Sequence, residues 1–332
     1  MPAVAVDPAL RALAEGLVDY AGLFPPAVLT MDAAWREYGR HRRSAEAWML
    51  GRFICPAARL PELRAVVTAA DGELPLLLLA NRAATAEALA QSLQADVSAW
   101  VAFQVAFPGR ATAQAWELRL PADAPGGTAW ARRLDDWAAC LPAGAGLFWE
   151  PDPAWDAARL EDLASALAAR GDGRWGLKLR CGGVTAAEFP PVERVALVLA
   201  LARDHGLPLK FTAGLHHPLR HWRPDLGVWM HGFLNFYAAA LAAQVHGLCA
   251  RDLRPLLEET RRDAFQLAAH ELRWRELRFS AREIQEARRL LPGHGSCSFD
   301  EPVEDLCALG WLPPSPIRAC SAASPACRGG RG

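Results

Sequence analysis

Gly176-Leu-Lys-Leu-Arg-Cys-Gly-Gly183 and Leu207-Pro-Leu-Lys-Phe-Thr-Ala-Gly-Leu-His-His-Pro218 are two apolar runs, each interrupted by a lysine and closed by glycine. Between them, residues 191–205 follow a helical pattern. Strand, helix and strand in that order predict a crossover unit with parallel strands. The alternation continues in both directions. Strands are expected at 17–23, 48–55, 74–80, 114–120, 146–150, 175–181, 207–212 and 232–237. Helices are expected at 31–43, 60–70, 85–93, 128–139, 155–169, 191–205 and 251–269, with Thr30 as the N-cap of the first. The stretch 100–107 is an alternative strand.

A strand count near eight predicts an α/β fold of the (β/α)8 TIM type rather than a doubly wound sheet. No Gly-x-Gly-x-x-Gly follows a first strand, so no dinucleotide fingerprint supports the doubly wound form. Beyond the expected eighth strand, 264–290 is amphipathic and arginine-rich. It leads into Gly293-His-Gly-Ser-Cys-Ser-Phe-Asp-Glu-Pro302 and a short helix ending near Leu309. This part reads as a C-terminal helical extension, beginning near residue 251, of a single barrel domain over residues 1–312. The last residues, 313–332, are rich in Pro, Ser, Ala and Gly and are expected to be disordered.

The chain of 332 residues is 52% hydrophobic with net charge −1, enough apolar content for a large core and no electrostatic footprint for nucleic acid or an acidic membrane. Eight cysteines without Cys-x-x-Cys spacing read as reduced thiols. Residues 1–17 lack the basic start and apolar core of a secretory signal, and no run of about 18 uncharged apolar residues occurs. A cytoplasmic location is the expectation. All 36 basic residues are arginine except Lys178 and Lys210. Arginine does not lose its proton near neutral pH or form an imine, so the two amines are where chemistry is expected.

In a barrel of this type the active site lies at the carboxyl ends of the strands. Alternation puts Lys178 and Arg180 on one face of their strand, and Lys210 and Thr212 on one face of the next. With leucines and Phe211 facing the helices, these four face the interior. Two amines on neighbouring strands are expected to repel each other's protons, and burial adds to that effect. Glu150 ends the fifth strand as a proton shuttle or orienting partner, and Glu117 and Arg119 share a face of the fourth. A mixed ring of charge this dense is expensive to bury, which favours an enzyme. His216 and His217 follow the seventh strand on the site's side, and Asn235 stands in the expected eighth. These three, with Arg180, Glu117, Arg119 and Thr212, are the candidate substrate-binding residues. No metal-ligand spacing accompanies the histidines, so neither a metal nor another cofactor is expected. With no Gly-x-Ser-x-Gly elbow, serine hydrolysis is not expected either.

Lys178 followed by Gly182-Gly183, and Lys210 followed by Ala213-Gly214, resemble the paired lysine strands of deoxyribose-phosphate-aldolase-type class I aldolases. The family's usual Lys-Thr-Ser-Thr-Gly reads Lys178-Leu-Arg-Cys-Gly182 here. The resemblance implies that Lys178 forms a Schiff base and that Lys210 tunes it. Asp19-Tyr-Ala-Gly-Leu-Phe-Pro25, Lys210-Phe-Thr-Ala-Gly-Leu-His-His217 and Gly295-Ser-Cys-Ser-Phe-Asp-Glu-Pro302 also resemble a bacterial family with no assigned activity. The resulting expectation is a lyase or aldolase acting through a lysine Schiff base on a small anionic carbonyl compound. Lys178, Lys210 and Glu150 would be catalytic. The alternatives are a cofactor-free transferase or isomerase using both lysines as anion clamps, and a non-catalytic barrel that binds small anions. The expected partner is a small-molecule anionic substrate, with neither nucleic acid nor membrane; a homo-oligomer is compatible with the sequence.

Overall fold

The computed structural model describes residues 6–268 and 270–313. Eight parallel strands close into a barrel. They are β1 (Val18–Tyr20), β2 (Leu50–Pro56), β3 (Leu74–Leu79), β4 (Ala111–Arg119), β5 (Gly146–Glu150), β6 (Trp175–Arg180), β7 (Leu209–Thr212) and β8 (His294–Ser296). Each pairs with its neighbour in sequence, and β8 closes the ring between β7 and β1. Helices such as Met31–His41, Ala86–Ala106, Ala157–Ala168 and Val192–Asp204 connect the strands. Thr30 caps the first of these, its hydroxyl accepting from the Ala33 N–H. Residues 100–106 continue the helix begun at Ala86 and form no strand. No described helix is long and apolar enough to cross a membrane.

Alternation along the strands sorts the side chains into two layers. Leu177, Leu179, Leu209 and Phe211 join the main core between strands and helices, while Ala21, Ile54, Leu77, Ala115 and Phe148 form a smaller apolar cluster inside the barrel. The expected layers are therefore the observed ones.

The closing strand is where the sequence reading fails. Residues 233–246, expected to begin with a strand, form the helix Phe233–His246, and its first eleven residues are all buried. Burial on every side removes the helical polar stripe, so a short apolar run looks the same as a core strand. The true β8 is only His-Gly-Ser, and its inward residue is Gly295. A β-carbon there would lie 2.9 Å from Ile54 Cδ1 and 3.3 Å from Thr212 Oγ1, so no apolar side chain marks the strand. The segment after residue 250 is thus part of the barrel rather than an extension. Helix Ala250–Leu257 leads into a three-stranded antiparallel sheet over Phe265–Ala268, Glu271–Trp274 and Leu277–Ser280, then helix Ala281–Arg288 and β8. The expected helix at 251–269 ends early for this reason. Helix Asp300–Ala308 follows β8. The expectation of disorder concerns residues that, beyond 313, lie outside those described.

Candidate active site

A file of ionised side chains crosses the barrel interior from the amino-terminal ends of the strands to the carboxyl ends. At the lower end Arg52 grips Asp19 with Nε and Nη2, at 2.9 and 2.8 Å, and the Arg52 backbone N–H donates to the same carboxylate at 2.7 Å. Gly51 makes the approach possible, since a β-carbon there would sit 2.5 Å from Asp19 Oδ1. Lys210 Nζ donates to Asp19 Oδ2 and lies 3.7 Å from Glu117 Oε1. Lys178 Nζ stands 2.7 Å from Glu117 Oε2 and 2.7 Å from Glu150 Oε2. Arg180 Nε then donates to Glu150 Oε1 at 3.1 Å, and its Nη1 is 3.8 Å from Glu188 on the following loop.

Signs alternate along the whole file, so each buried charge has an opposite neighbour. That arrangement offsets the several kcal/mol that an unpaired buried ion costs. It also corrects the expected electrostatics of the lysines. Glu117 lies between them, and their dominant neighbours are carboxylates. Burial works against the Lys178 ammonium, but Glu117 and Glu150 outweigh it and hold the pKa above the ordinary lysine value. Burial likewise opposes ionisation of Glu150, yet Lys178 and Arg180 bring its carboxyl down to about 2. At Asp19 burial is overcome by Arg52 and Lys210, which hold the carboxyl well below the usual range.

A depressed carboxyl pKa contributes stability that is present above the unfolded value and lost as pH falls through the folded one. Unfolding free energy should therefore drop by a few kcal/mol (order of magnitude) as pH falls from about 4.5 to about 2, because the unfolded chain takes up protons there while Glu150 and Asp19 stay ionised in the folded one. Urea midpoints measured across that range test this; a flat profile would contradict the paired carboxylates.

Above the file, at the carboxyl ends of the strands, opens a cavity of about 210 Å³. Lys178, Glu117, Arg180 and Thr212 line it, with Phe24, Ile54 and Val184 as apolar wall. Arg82, His216 and Cys297 complete the polar lining. A second cavity of about 220 Å³ adjoins it and shares Lys178, Arg180 and Glu188, adding Glu150, Arg119 and Arg194. Lys210 is fully buried and lines neither cavity, whereas Lys178 reaches both. One oxygen of Glu117, Oε1, is buried without a hydrogen-bond partner; the 3.7 Å to Lys210 is an ion-pair distance only.

The site residues expected from sequence divide accordingly. Lys178, Lys210, Glu117, Glu150, Arg180, Arg119, Thr212 and His216 meet in the file or the cavities. His217 turns away, with Nδ1 2.7 Å from Asp305, and it stacks edge-on against His221. Asn235 lies on a helix and not in a strand. Its Oδ1 accepts from the Arg220 N–H at 2.8 Å, and its Nδ2 donates to the carbonyls of Leu256 and Glu259 at 2.9 and 2.8 Å. That makes Asn235 a backbone clasp, with no polar atom left for substrate. Carboxylates do join the histidines: Glu301 lies 3.1 Å from His216, one helical turn before Asp305. The described residues with metal-compatible grouping are Glu37, His41 and Asp300, and there the Arg40 guanidinium already bridges the two carboxylates. Cys181 is buried against the Leu179 carbonyl, and burial pushes its thiol up.

Arg82, Cys297 and Glu301 were not singled out by the sequence reading. Arg82 stands just after β3, beside Asn81, whose amide is clasped by Asp96 at 2.6 Å. Burial and the nearby charges of Arg119 and Arg180 all push Arg82 below its ordinary value. Nothing local in the sequence distinguishes it from the other arginines.

Fold and site together define a closed parallel (β/α)8 barrel with a charged, two-lobed pocket at the carboxyl ends of its strands. No family model matches the chain, and no curated protein matches it. A solved structure of UMP synthase from Leishmania donovani is similar over 62% of this chain and 43% of that one, with 17% identity and a TM-score of 0.34. The match thus spans less than half of that protein's length, and a likeness at this level carries no argument about chemistry.

Proposed function

We propose that this barrel is a lyase of the class I aldolase type, in which Lys178 forms a Schiff base with a small anionic carbonyl compound. The observation that carries the reading is a division of labour between the two lysines. Lys178 reaches the cavities, whereas Lys210 is sealed beneath them. In the resting protein Lys178 is an ammonium between two carboxylates. Transfer of a proton over 2.7 Å to Glu117 Oε2 frees the amine for attack on a carbonyl carbon. Loss of water then gives the imine. Glu117 is the proton carrier on geometry: its Oε1 has no hydrogen-bond partner, whereas both Glu150 oxygens are engaged, Oε2 by Lys178 and Oε1 by Arg180. Glu150 orients the amine. Lys210, paired with Asp19, stands 3.7 Å from Glu117 Oε1.

Arg180, Arg82 and Arg119 supply the hold on the anionic group of the substrate. Both lysines are engaged by carboxylates, which weighs against the reading in which they act as anion clamps. Borohydride reduction of the protein in the presence of pyruvate, glycolaldehyde or glyceraldehyde 3-phosphate, followed by peptide mass mapping, tests the proposal. The expected result is a reduced adduct on Lys178 and none on Lys210. Trapping should accelerate as pH rises above neutrality, since the amine must first lose a proton held tighter than usual. Absence of any adduct, with phosphate or dicarboxylate binding retained, would instead assign a non-catalytic anion-binding barrel.

A further inference from the structure

Cys297 follows β8 and lines the same cavity as Lys178 and His216. Its Sγ lies 3.9 Å from both ring nitrogens of His216. Nδ1 is also 3.1 Å from Glu301 Oε2 and 3.4 Å from the Ser296 hydroxyl. That hydroxyl is itself fixed, donating to the Ser298 carbonyl at 2.7 Å. Carboxylate and thiol therefore meet at one imidazole: the sulfur is equidistant from its two nitrogens, and with Nδ1 engaged by Glu301, Nε2 is the nitrogen open to the thiol proton. This is the relation by which a base, oriented by a third group, activates a nucleophile. The 3.9 Å separation is long, as such contacts often are in unliganded sites.

We propose that Cys297 is a second covalent centre of this cavity, a thiol activated by His216 and aligned through Glu301, which captures small aldehydes as reversible thiohemiacetals. The thiol proton passes from Sγ to Nε2 of His216. An Sγ–C bond forms at the aldehyde carbon, the carbonyl π pair moves to oxygen, and that oxygen takes the proton back from Nε2. The product is the neutral thiohemiacetal. No leaving group, oxidant or co-reactant is needed. The environment of His216 agrees with a proton-holding role. Burial alone would lower its pKa, but the hydrogen bonds to Cys297 and Glu301 raise it to about 10. Three other described thiols differ: Cys55 and Cys181 are sealed in the core, and Cys249 is exposed but bonded to Asp252 at 3.0 Å. The choice of aldehyde rests on the carbonyl chemistry proposed for Lys178, whereas the activated thiol stands without it.

Iodoacetamide alkylation of the folded full-length protein near pH 6.5, read by peptide mass spectrometry, tests the thiol. Cys297 should react at least about tenfold faster than exposed Cys249 and than glutathione in the same sample. His216→Gln should remove most of that excess, and Glu301→Gln part of it. Equal rates at Cys297 and Cys249 in the unaltered protein, or an excess that survives His216→Gln, would overturn the proposal. In the second arm, glycolaldehyde should slow alkylation of Cys297 reversibly, both in the unaltered protein and in Lys178→Arg. Absence of protection would overturn aldehyde capture, and so would protection confined to the protein with Lys178, which an imine there would explain. A failed borohydride trap at Lys178, with Cys297 still fast and still protected, would sink the lysine reading alone.

Discussion

Lys178→Arg is expected to abolish the borohydride adduct and to lower turnover of a carbonyl substrate on the order of 10³-fold or more. The reason lies in the amine. Arginine keeps a cation between Glu117 and Glu150, so the file of charges stays paired, but the guanidinium does not lose its proton near neutral pH. Folding should change far less than activity. A guanidinium is larger than an ammonium, and overfilling that slot costs about 1–3 kcal/mol. Steady-state rates alongside urea denaturation of the same variant separate the two effects. A variant that retained turnover within about tenfold of the unaltered protein would reduce Lys178 to an electrostatic role.

Asp19→Asn is expected to give the largest stability loss of any conservative exchange in the file, about 3–5 kcal/mol. Asp19 is fully buried and shared by Arg52 and Lys210, out of reach of bulk solvent. The neutral amide keeps the shape of the carboxylate but leaves two cations underpaired and turns an acceptor into a donor facing them. Urea unfolding at neutral pH measures the loss. The difference between variant and unaltered protein should shrink in acid, because protonation of Asp19 in the parent removes the same charge. A loss below about 1 kcal/mol would mean that the pair is solvated, as surface ion pairs are.

Much of the barrel was legible because its strands are short apolar runs set at regular intervals. β4 and β6 also carry ionised residues at alternate positions, and β7 alternates Lys210 with the polar Thr212. Glu117 and Arg119, Lys178 and Arg180, and Lys210 with Thr212 announced an inward face by that period alone. β8 announced nothing, since its inward residue is a glycine held to that size by Ile54 and Thr212. The helix Phe233–His246 misled for the opposite reason, because burial all round left it no polar stripe.

By itself the sequence determined the α/β alternation, the inward face of each middle strand and the placing of the two amines on adjacent strands. These follow from local periodicity and from the rule that parallel strands need a crossover. Only the tertiary structure decided what each amine touches. Lys210 meets Asp19 from the far end of the chain, and His216 meets Cys297 and Glu301 across the closure of the ring. Those contacts exist because the barrel closes, bringing β8 between β7 and β1. Barrel closure places Asp19 at one lysine and Glu117 between the two, which turns an expected pair of mutually repelling cations into links of an alternating chain.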